Sequence, residues 1–427
     1  MSQGFPNHSR RCLVVAVCIA VAIWISYSGV KHALATHYAE SAKAEDWLRA
    51  AQLEPGDAAH WYQLGRYRQL DFDHTDLSLA ISYYRRAVKL NPRSPYIKLD
   101  FASALEMAGE NVEAEAYFRT AQEDFPISAE VSWKYGNFLL RQQRLPEAYG
   151  EIHRAAEQSP QLIPIVISRV WRSNSDIHVL LDRVLPDTAA ADWSAISYLS
   201  ETQEASAALV VWSRLVAKKS SIETKQLFGL IDMLVKQERY DDAGTVWRQA
   251  MSLPGGPPQA DDGNSVLYDG GFEKNFTGGG FGWQQKDVPG AAFDFDSDVK
   301  HSGERSAQIT FDGTQNLKYE YLYQQALVTP GTRYHFRGYI RTENISTDSG
   351  ARFEIVDMNE PKNLSLLTPN EKGTQPWTLE EADFTSGPRT RLLQVRVVRT
   401  PSQRLDNKIS GTVWVDDLAL TPAGTKP

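Results

Sequence analysis

Apolar and polar positions follow three different rules along the chain. Residues 12–30, "CLVVAVCIAVAIWISYSGV", carry no charge. From about 33 to 253 apolar residues recur at helical spacing, and from 266 to 422 they alternate with polar ones in short runs. The first stretch is long enough to cross the roughly 30 Å hydrocarbon layer of a bilayer as a helix. The second predicts amphipathic helices and the third short β-strands. Those strands are "SAQITF", "RYHFRGYIR", "ARFEIVD", "LLQVRVVRT" and "GTVWVDDLAL", each bounded by Gly, Pro, Asp or Ser. Between helices and strands, "PGGPPQADDGN" is polar and helix-breaking, a linker by composition.

The helical stretch repeats. Ala80, Ala114 and Ala148 are spaced by 34, as are Ala87, Ala121 and Ala155, and Pro92, Pro126 and Pro160. Bulky Tyr84, Phe118 and Ile152 sit four positions after the first alanine series. A small residue lets two helices approach, a large one four positions on fills the groove, and the proline ends the unit. First-helix landmarks are Trp61, Leu64 and Gly65; Phe101, Ala102 and Leu105; and Trp133, Gly136 and Leu139. The first unit carries about three extra residues around "DFDHT". Before it, Trp47, Ala50 and Pro55 mark an incomplete or capping unit. The spacing is lost over 161–190 and returns as Ala208 with Trp212, then Ala243 with Trp247 and Ala250.

This small–large–small–proline pattern resembles the tetratricopeptide repeat. The resemblance implies a superhelix over residues 31–253 whose concave face, built from first helices, receives a protein partner. Passive spacing of other domains is the competing role. The landmark residues themselves are packing residues.

The strand-rich third, 266–422, has no long helical pattern and reads as an all-β jelly-roll sandwich. Its phrases "DGGFEKNF…GW", "HSGERSAQITF", "YQQALVTPGTRYHFRGYIRTEN" and "TVWVDDLALTP" resemble, in order, the galactose-binding-like sandwich of the carbohydrate-binding module 4/9 family. That resemblance implies a structural calcium where the two ends of the domain meet. Its candidate ligands are Glu273 and Asp416, with backbone carbonyls near Asp269 to Gly271 and His301 to Gly303. Calcium takes six to eight hard oxygens, and glycine permits the turns that aim carbonyls. Glu273 and Asp416 capping backbone groups or pairing with arginine is the alternative. Asp417 competes with Asp416, because a bulge would exchange their faces. Asp294, Asp296 and Asp298 in "FDFDSD" read as a solvated strand edge.

Aromatic rings stack on the apolar faces of sugars, and amides and carboxylates address the hydroxyls. "KYEYLYQQ" places Tyr319, Tyr321 and Tyr323 on one side of a strand. With Trp283, Trp377, Gln324 and Arg341 they form the candidate glycan site, although a tyrosine stripe also suits a sandwich core. Trp414 is expected to be packed.

The remaining totals narrow the function. A net charge of −8 argues against a nucleic-acid partner held by broad phosphate neutralisation. The only two cysteines, Cys12 and Cys18, lie in the apolar stretch, so the body has no disulfide, thiolate nucleophile or cysteine zinc site. Arg10 and Arg11 before that stretch favour a cytoplasmic N-terminus and a body outside the cytoplasm. "ALA" at 33–35 is the rival signal, that of a cleaved leader. No zincin helix, nucleophile elbow or phosphate-binding loop is present, and the histidines, His60, His74, His153, His301 and His335 among them, are scattered.

The expected organisation is a tail (1–11), an anchor (12–30), a helical repeat domain (31–253), a linker (254–265), a sandwich (266–422) and a short tail (423–427). The expected function is that of a non-catalytic, membrane-anchored envelope adaptor, periplasmic in a two-membrane bacterium. Its repeats bind a protein and its sandwich a glycan, in surface-polysaccharide production or export. A scaffold without sugar binding is the alternative, and a glycoside-active enzyme the minor one.

Overall fold

The computed structural model describes residues 7–41, 43–257 and 264–423. Parts of both expected tails and of the expected linker (1–6, 258–263 and 424–427) lie outside them. The chain divides into two compact units, Met1–Pro186 and Asp187–Pro427.

The first unit begins with α1 (Asn7–Ala39), followed by α2 (Ala44–Leu53). Three helix pairs come next: α3 (Ala58–Leu70) with α4 (Leu77–Leu90), α5 (Pro95–Met107) with α6 (Asn111–Asp124), and α7 (Ala129–Arg141) with α8 (Leu145–Gln158). Side chains of Asp57, Asp76, Ser94 and Ser128 accept backbone N–H bonds at the starts of α3, α4, α5 and α7. Pro92, Pro126 and Pro160 each fall two residues past the helix they end. Both alanine series are fully buried, as are Tyr84, Phe118 and Ile152 between them. A Cβ on Gly65 would lie 2.8 Å from the Tyr84 ring, and one on Gly136 2.7 Å from Ile152 Cγ1. Those glycines let the paired helices touch. Trp133 is half-buried, and Tyr135 and Phe138 fill the space expected for it.

The incomplete unit acquires its first helix from an unexpected source. α1 runs past the apolar stretch to Ala39, and Ala35 is fully buried, as are Ala50 and Ala51 on α2. Where the spacing fails, the chain forms a 3-10 turn (Pro160–Leu162), α9 (Ile163–Ser173) and α10 (Ile177–Val179), which continues as a π-helical turn, Leu180–Val184. This irregular stretch separates the later helices from the 34-residue register of the first three pairs.

The second unit holds α11 (Ala189–Glu201), α12 (Ala205–Ala217), α13 (Thr224–Lys236) and α14 (Tyr240–Ala250), then the sandwich. Its ten strands are β1 (Gln284–Gln285), β2 (Ala291–Asp296), β3 (Ser306–Asp312), β4 (Tyr319–Leu327), β5 (Arg333–Ile345), β6 (Arg352–Asp357), β7 (Ser365–Leu367), β8 (Gly373–Thr385), β9 (Leu392–Arg399) and β10 (Ser410–Pro422). They form two antiparallel five-stranded sheets, ordered β1-β4-β9-β6-β7 and β2-β3-β10-β5-β8. Phe272, Leu322, Phe336, Phe353, Val395 and Val413 are among the residues that fill the space between them. All five strands expected from alternation are present. β2 is an edge strand and includes the "FDFD" run: Asp294 and nearby Asp298 are exposed as expected, whereas Asp296 accepts bonds from Trp414 Nε1 (2.8 Å) and Gln308 (3.0 Å) and is tied into its sheet.

Helices and sandwich interlock in this unit. A Cβ on Gly244 of α14 would stand 2.7 Å from Leu327 of β4. On the sandwich side, a Cβ on Gly279 would stand 2.3 Å from the Phe228 ring, and one on Gly280, at φ +58°, 2.5 Å from the Trp247 ring. Trp247 is also edge-on to Tyr268 and Phe281, 5.7 and 5.8 Å between centroids. Asn359 donates to the Tyr240 hydroxyl at 2.7 Å.

Candidate functional site

The six residues named for a metal converge. Asp416, on β10, is fully buried, and its Oδ2 accepts the backbone N–H groups of His301 (2.8 Å) and Ser302 (3.2 Å). Glu273 accepts the N–H of Glu304 at 2.9 and 3.0 Å, and its Oε1 occupies the place of a Cβ on Gly303. The Asp269 carboxylate receives the N–H groups of Glu273 and Lys274, at 2.9 and 3.1 Å, and Gly271 lies beside Asp416 Oδ1. The strand slips register between Asp416 and Ala419, with Asp417 at φ +50°. This bulge turns Asp416 inward and leaves Asp417 beside His301 Nδ1 (2.6 Å) and Ser302 Oγ (2.8 Å). The His301 ring stacks on Tyr339 at 3.5 Å, so its backbone, not its imidazole, faces Asp416. A cleft of about 200 Å³ opens here, lined by Asp269, Gly271, Glu273, Gly303, Arg337 and Asp417 among others. Burial pushes Asp416 up to about 6, against the lowering effect of the N–H bonds it accepts. Among the described residues no Lys or Arg pairs with it.

The seven glycan candidates divide three ways. Trp283 is 2% exposed, lies 4.8 Å from Phe272 between ring centroids, and donates its indole N–H to the Asp269 carbonyl at 2.9 Å. Tyr319 is 2% exposed, and Gln324 is fully buried with its amide clamped to both backbone groups of Tyr268 at 2.8 Å. These three are core residues and offer no face to a sugar, which corrects the expectation. The reason for Tyr319 is local: β4 slips register between Tyr319 and Leu322, so that Tyr319 enters the core, Tyr321 packs partly buried against it with the rings edge-on at 5.7 Å, and Tyr323 lies on the outer face. The three tyrosines therefore do not share one side. Arg341 and Trp377 belong to the other sheet. Arg341 sits over the buried Trp414 ring at 5.6 Å, and Trp377 lies edge-on to His301.

Alongside Tyr321 and Tyr323 the structure sets residues that the sequence reading missed. Register places Gln284, Tyr323, Arg396 and Glu354 in one row across β1, β4, β9 and β6. The Tyr323 hydroxyl donates to Gln284 Oε1 at 2.9 Å. Arg396 bonds Glu354 at 2.7 Å and pairs with Glu320 at 3.1 Å, and Ser365 donates to Glu354 at 2.9 Å. The signal was present as Gln394 and Arg396 in "LLQVRVVRT" and Arg352 and Glu354 in "ARFEIVD", polar residues every second position of apolar strands. The row combines rings, amides and a fixed guanidinium–carboxylate pair, chemistry suited to polyol hydroxyls.

In the first unit, polar side chains link successive first helices. Asp100 on α5 accepts from Tyr62 of α3 (2.6 Å) and Lys134 of α7 (2.8 Å), and Arg141 of α7 bonds Glu106 of α5 at 2.6 Å.

The family model described as Tetratricopeptide repeat matches residues 69–126 and 113–163. These units are tetratricopeptide repeats. Among solved structures, the chain is similar to the CBM22-1 and GH10 modules of a Clostridium thermocellum endo-1,4-β-D-xylanase complexed with xylohexaose (14% identity, 38% of this chain, 29% of that chain, TM-score 0.28). It thus spans under a third of that protein. It is also similar to the CBM22-1 xylan-binding domain from Paenibacillus barcinonensis (16%, 40% of this chain, 100% of that chain, 0.27). A third is YrrB, a TPR protein with an unusual peptide-binding site (14%, 49%, 93%, 0.26). No curated protein matches the chain.

Proposed function

We propose that this protein is a non-catalytic, membrane-anchored adaptor whose repeats hold a protein partner and whose sandwich binds a glycan. The observation that carries the reading is the outer-face row of Gln284, Tyr323, Arg396 and Glu354 beside Tyr321. The partly buried rings supply stacking edges beside the place where Leu327 of the same strand meets α14, and the paired charges hold the hydrogen-bonding groups in fixed directions. Glu320 and Glu354 are tied to Arg396, which favours recognition over acid–base chemistry for that pair. The anchor reading draws on Arg11–Ala39, which contains an 18-residue stretch of mean hydropathy 2.3, with Leu13 67% and Trp24 69% exposed. Cleavage after Ala35 would strip α2 of its helical partner, which argues for an anchor that stays. The body then lies outside the cytoplasm, on the periplasmic side in a two-membrane bacterium, where surface polysaccharide is made and exported.

Glu273 and Asp416 both accept backbone N–H groups here, the capping role that competes with an ion. Calcium is the reading favoured by their convergence on one cleft without a Lys or Arg partner for Asp416 among the described residues. Glu273, Asp416 and the carbonyls of the two glycine turns would hold the ion, which supplies a positive charge that clamps the domain's two ends.

The test is a glycan array and affinity electrophoresis with the full chain in detergent and calcium. Retention on at least one polysaccharide is expected. A folded, calcium-loaded chain that binds none overturns the reading in favour of a protein–protein scaffold. The interlocking of α13 and α14 with the sandwich is the observation that favours that second reading.

A further inference from the structure

Among the described residues, one group of His, Asp and Glu ligand atoms lies close enough to share a metal ion, and it is far in sequence from the sandwich: Glu54, Asp57 and His60, all within 4.8 Å of one another. The acids lie in the turn between α2 and α3, and His60 is in the first turn of α3. His60 is 7% exposed, and its Nε2 has no hydrogen-bond partner. That nitrogen points at two carboxylates from different residues, 3.6 Å from Glu54 Oε2 and 3.7 Å from Asp57 Oδ2. Both separations exceed the 2.7–3.2 Å or so of an N–H···O bond. His32 on α1 stands outside this group and holds Glu54 in place, its Nδ1 lying 2.9 Å from Oε1 and 3.2 Å from Oε2.

We infer that Glu54, Asp57 and His60 form a zinc-class metal site with a fourth position open to water. Bonds of about 2.0–2.2 Å to nitrogen and carboxylate oxygen put tetrahedral ligands about 3.3–3.6 Å apart. The 3.6 and 3.7 Å separations of His60 Nε2 from the two carboxylates lie close to that edge. One imidazole with two carboxylates is the three-ligand set of an open zinc site rather than the all-oxygen shell of calcium or magnesium. The surroundings already orient the ligands. Asp57 uses its other oxygen to cap Ala59 N–H at 2.8 Å, and Trp61 Nε1 donates to the Pro55 carbonyl at 3.2 Å, fixing the turn. Bound metal would give the buried His60 nitrogen its missing partner. By fixing Glu54, which His32 holds, it would also rivet α1 to the start of the repeat array.

The test uses the full chain in detergent, stripped with chelator and titrated with zinc chloride against a chromophoric competitor, with cobalt(II) as a geometric probe. One tight equivalent of zinc is expected, with a four-coordinate cobalt d–d spectrum. His60→Ala should weaken that equivalent at least tenfold. So should Asp57→Asn, which keeps a cap-competent side chain on α3 and therefore its fold, verified by circular dichroism. His32→Ala should weaken it by a smaller factor, and His74→Ala by none. No tight zinc in the parent chain would overturn the assignment. So would zinc held within twofold as tightly by both His60→Ala and Asp57→Asn.

Discussion

The helix pairs of the first unit and those of the second use glycine in opposite ways. In 58–160 two glycines of first helices, Gly65 and Gly136, receive Tyr84 and Ile152 from their own pairs. In 187–250 the large side chains reach beyond their pairs, and the glycines that receive Phe228 and Trp247 are on the sandwich, at Gly279 and Gly280. The first arrangement closes each pair on itself, as the proposed docking of a partner on α3, α5 and α7 requires. The second uses that packing capacity to hold a β domain. Repeats of one sequence type can therefore serve as a docking surface or as a mount, according to where the small residue stands.

The comparison can be broken hardest at Trp247. Trp247→Ala removes a fully buried ring that serves both its own pair and the sandwich. A loss of about 3–5 kcal/mol is expected in denaturant unfolding of the second unit, with the first unit's transition unchanged. If both transitions moved together, the two units would not be separate packing bodies. Calcium removal tests the sandwich alone. Chelation should lower its stability by about 3 kcal/mol when calcium had stood a hundredfold or more above its dissociation constant, with Asp416→Asn abolishing the difference. A thermal midpoint indifferent to chelator would count against the ion.

Gly136→Ala and Gly280→Ala are a matched pair for the next tier. Each Cβ lands under 3.0 Å from a neighbour, costing about 1–3 kcal/mol, but in different units. Gly280→Ala should also speed proteolysis between helices and sandwich; equal proteolysis in both variants would erase the contrast drawn here.

A smaller effect depends on pH. Burial, reinforced by the neighbouring Glu371 carboxylate, pushes Glu380 on β8 up to about 7 from 4.5. The unfolded chain loses this proton near pH 4.5, whereas the folded one keeps it to about 7. The stabilising contribution is therefore complete below 4.5 and is lost as pH climbs to 7. Glu380→Gln should flatten that slope and raise stability at pH 8 by about 1–2 kcal/mol. A variant with the parental slope would show that another group titrates.

Much of this architecture was legible in the sequence, for physical reasons that differ by region. The helix pairs announced themselves because close helix packing demands alanine at fixed intervals, and Ala80, Ala114 and Ala148 are all fully buried. The convergence of Glu273 and Asp416 was legible through a family resemblance, and the bulge that chose Asp416 over Asp417 was foreseen as a possibility but not its direction. The glycan candidates were harder. Alternation gives the two sides of a strand but not which side is buried, and a register slip in β4 divided Tyr319 from Tyr323. Gln324 looked like a binding amide because its partner, the Tyr268 backbone, lies 56 residues away. Arg396 and Glu354 acquire meaning only when β9 and β6 pair, and the grip of Gly279 and Gly280 on α13 and α14 is a tertiary fact with no local period.

The most direct measurement is the affinity of the full, calcium-loaded chain for a polysaccharide it retains, compared with Tyr323→Ala on one sheet face and Trp377→Ala on the other. Recognition on the β1-β4-β9-β6-β7 face requires Tyr323→Ala to weaken binding at least tenfold, about 1.4 kcal/mol or more, while Trp377→Ala stays within twofold. The reverse order, or equal affinity in all three proteins, would contradict it.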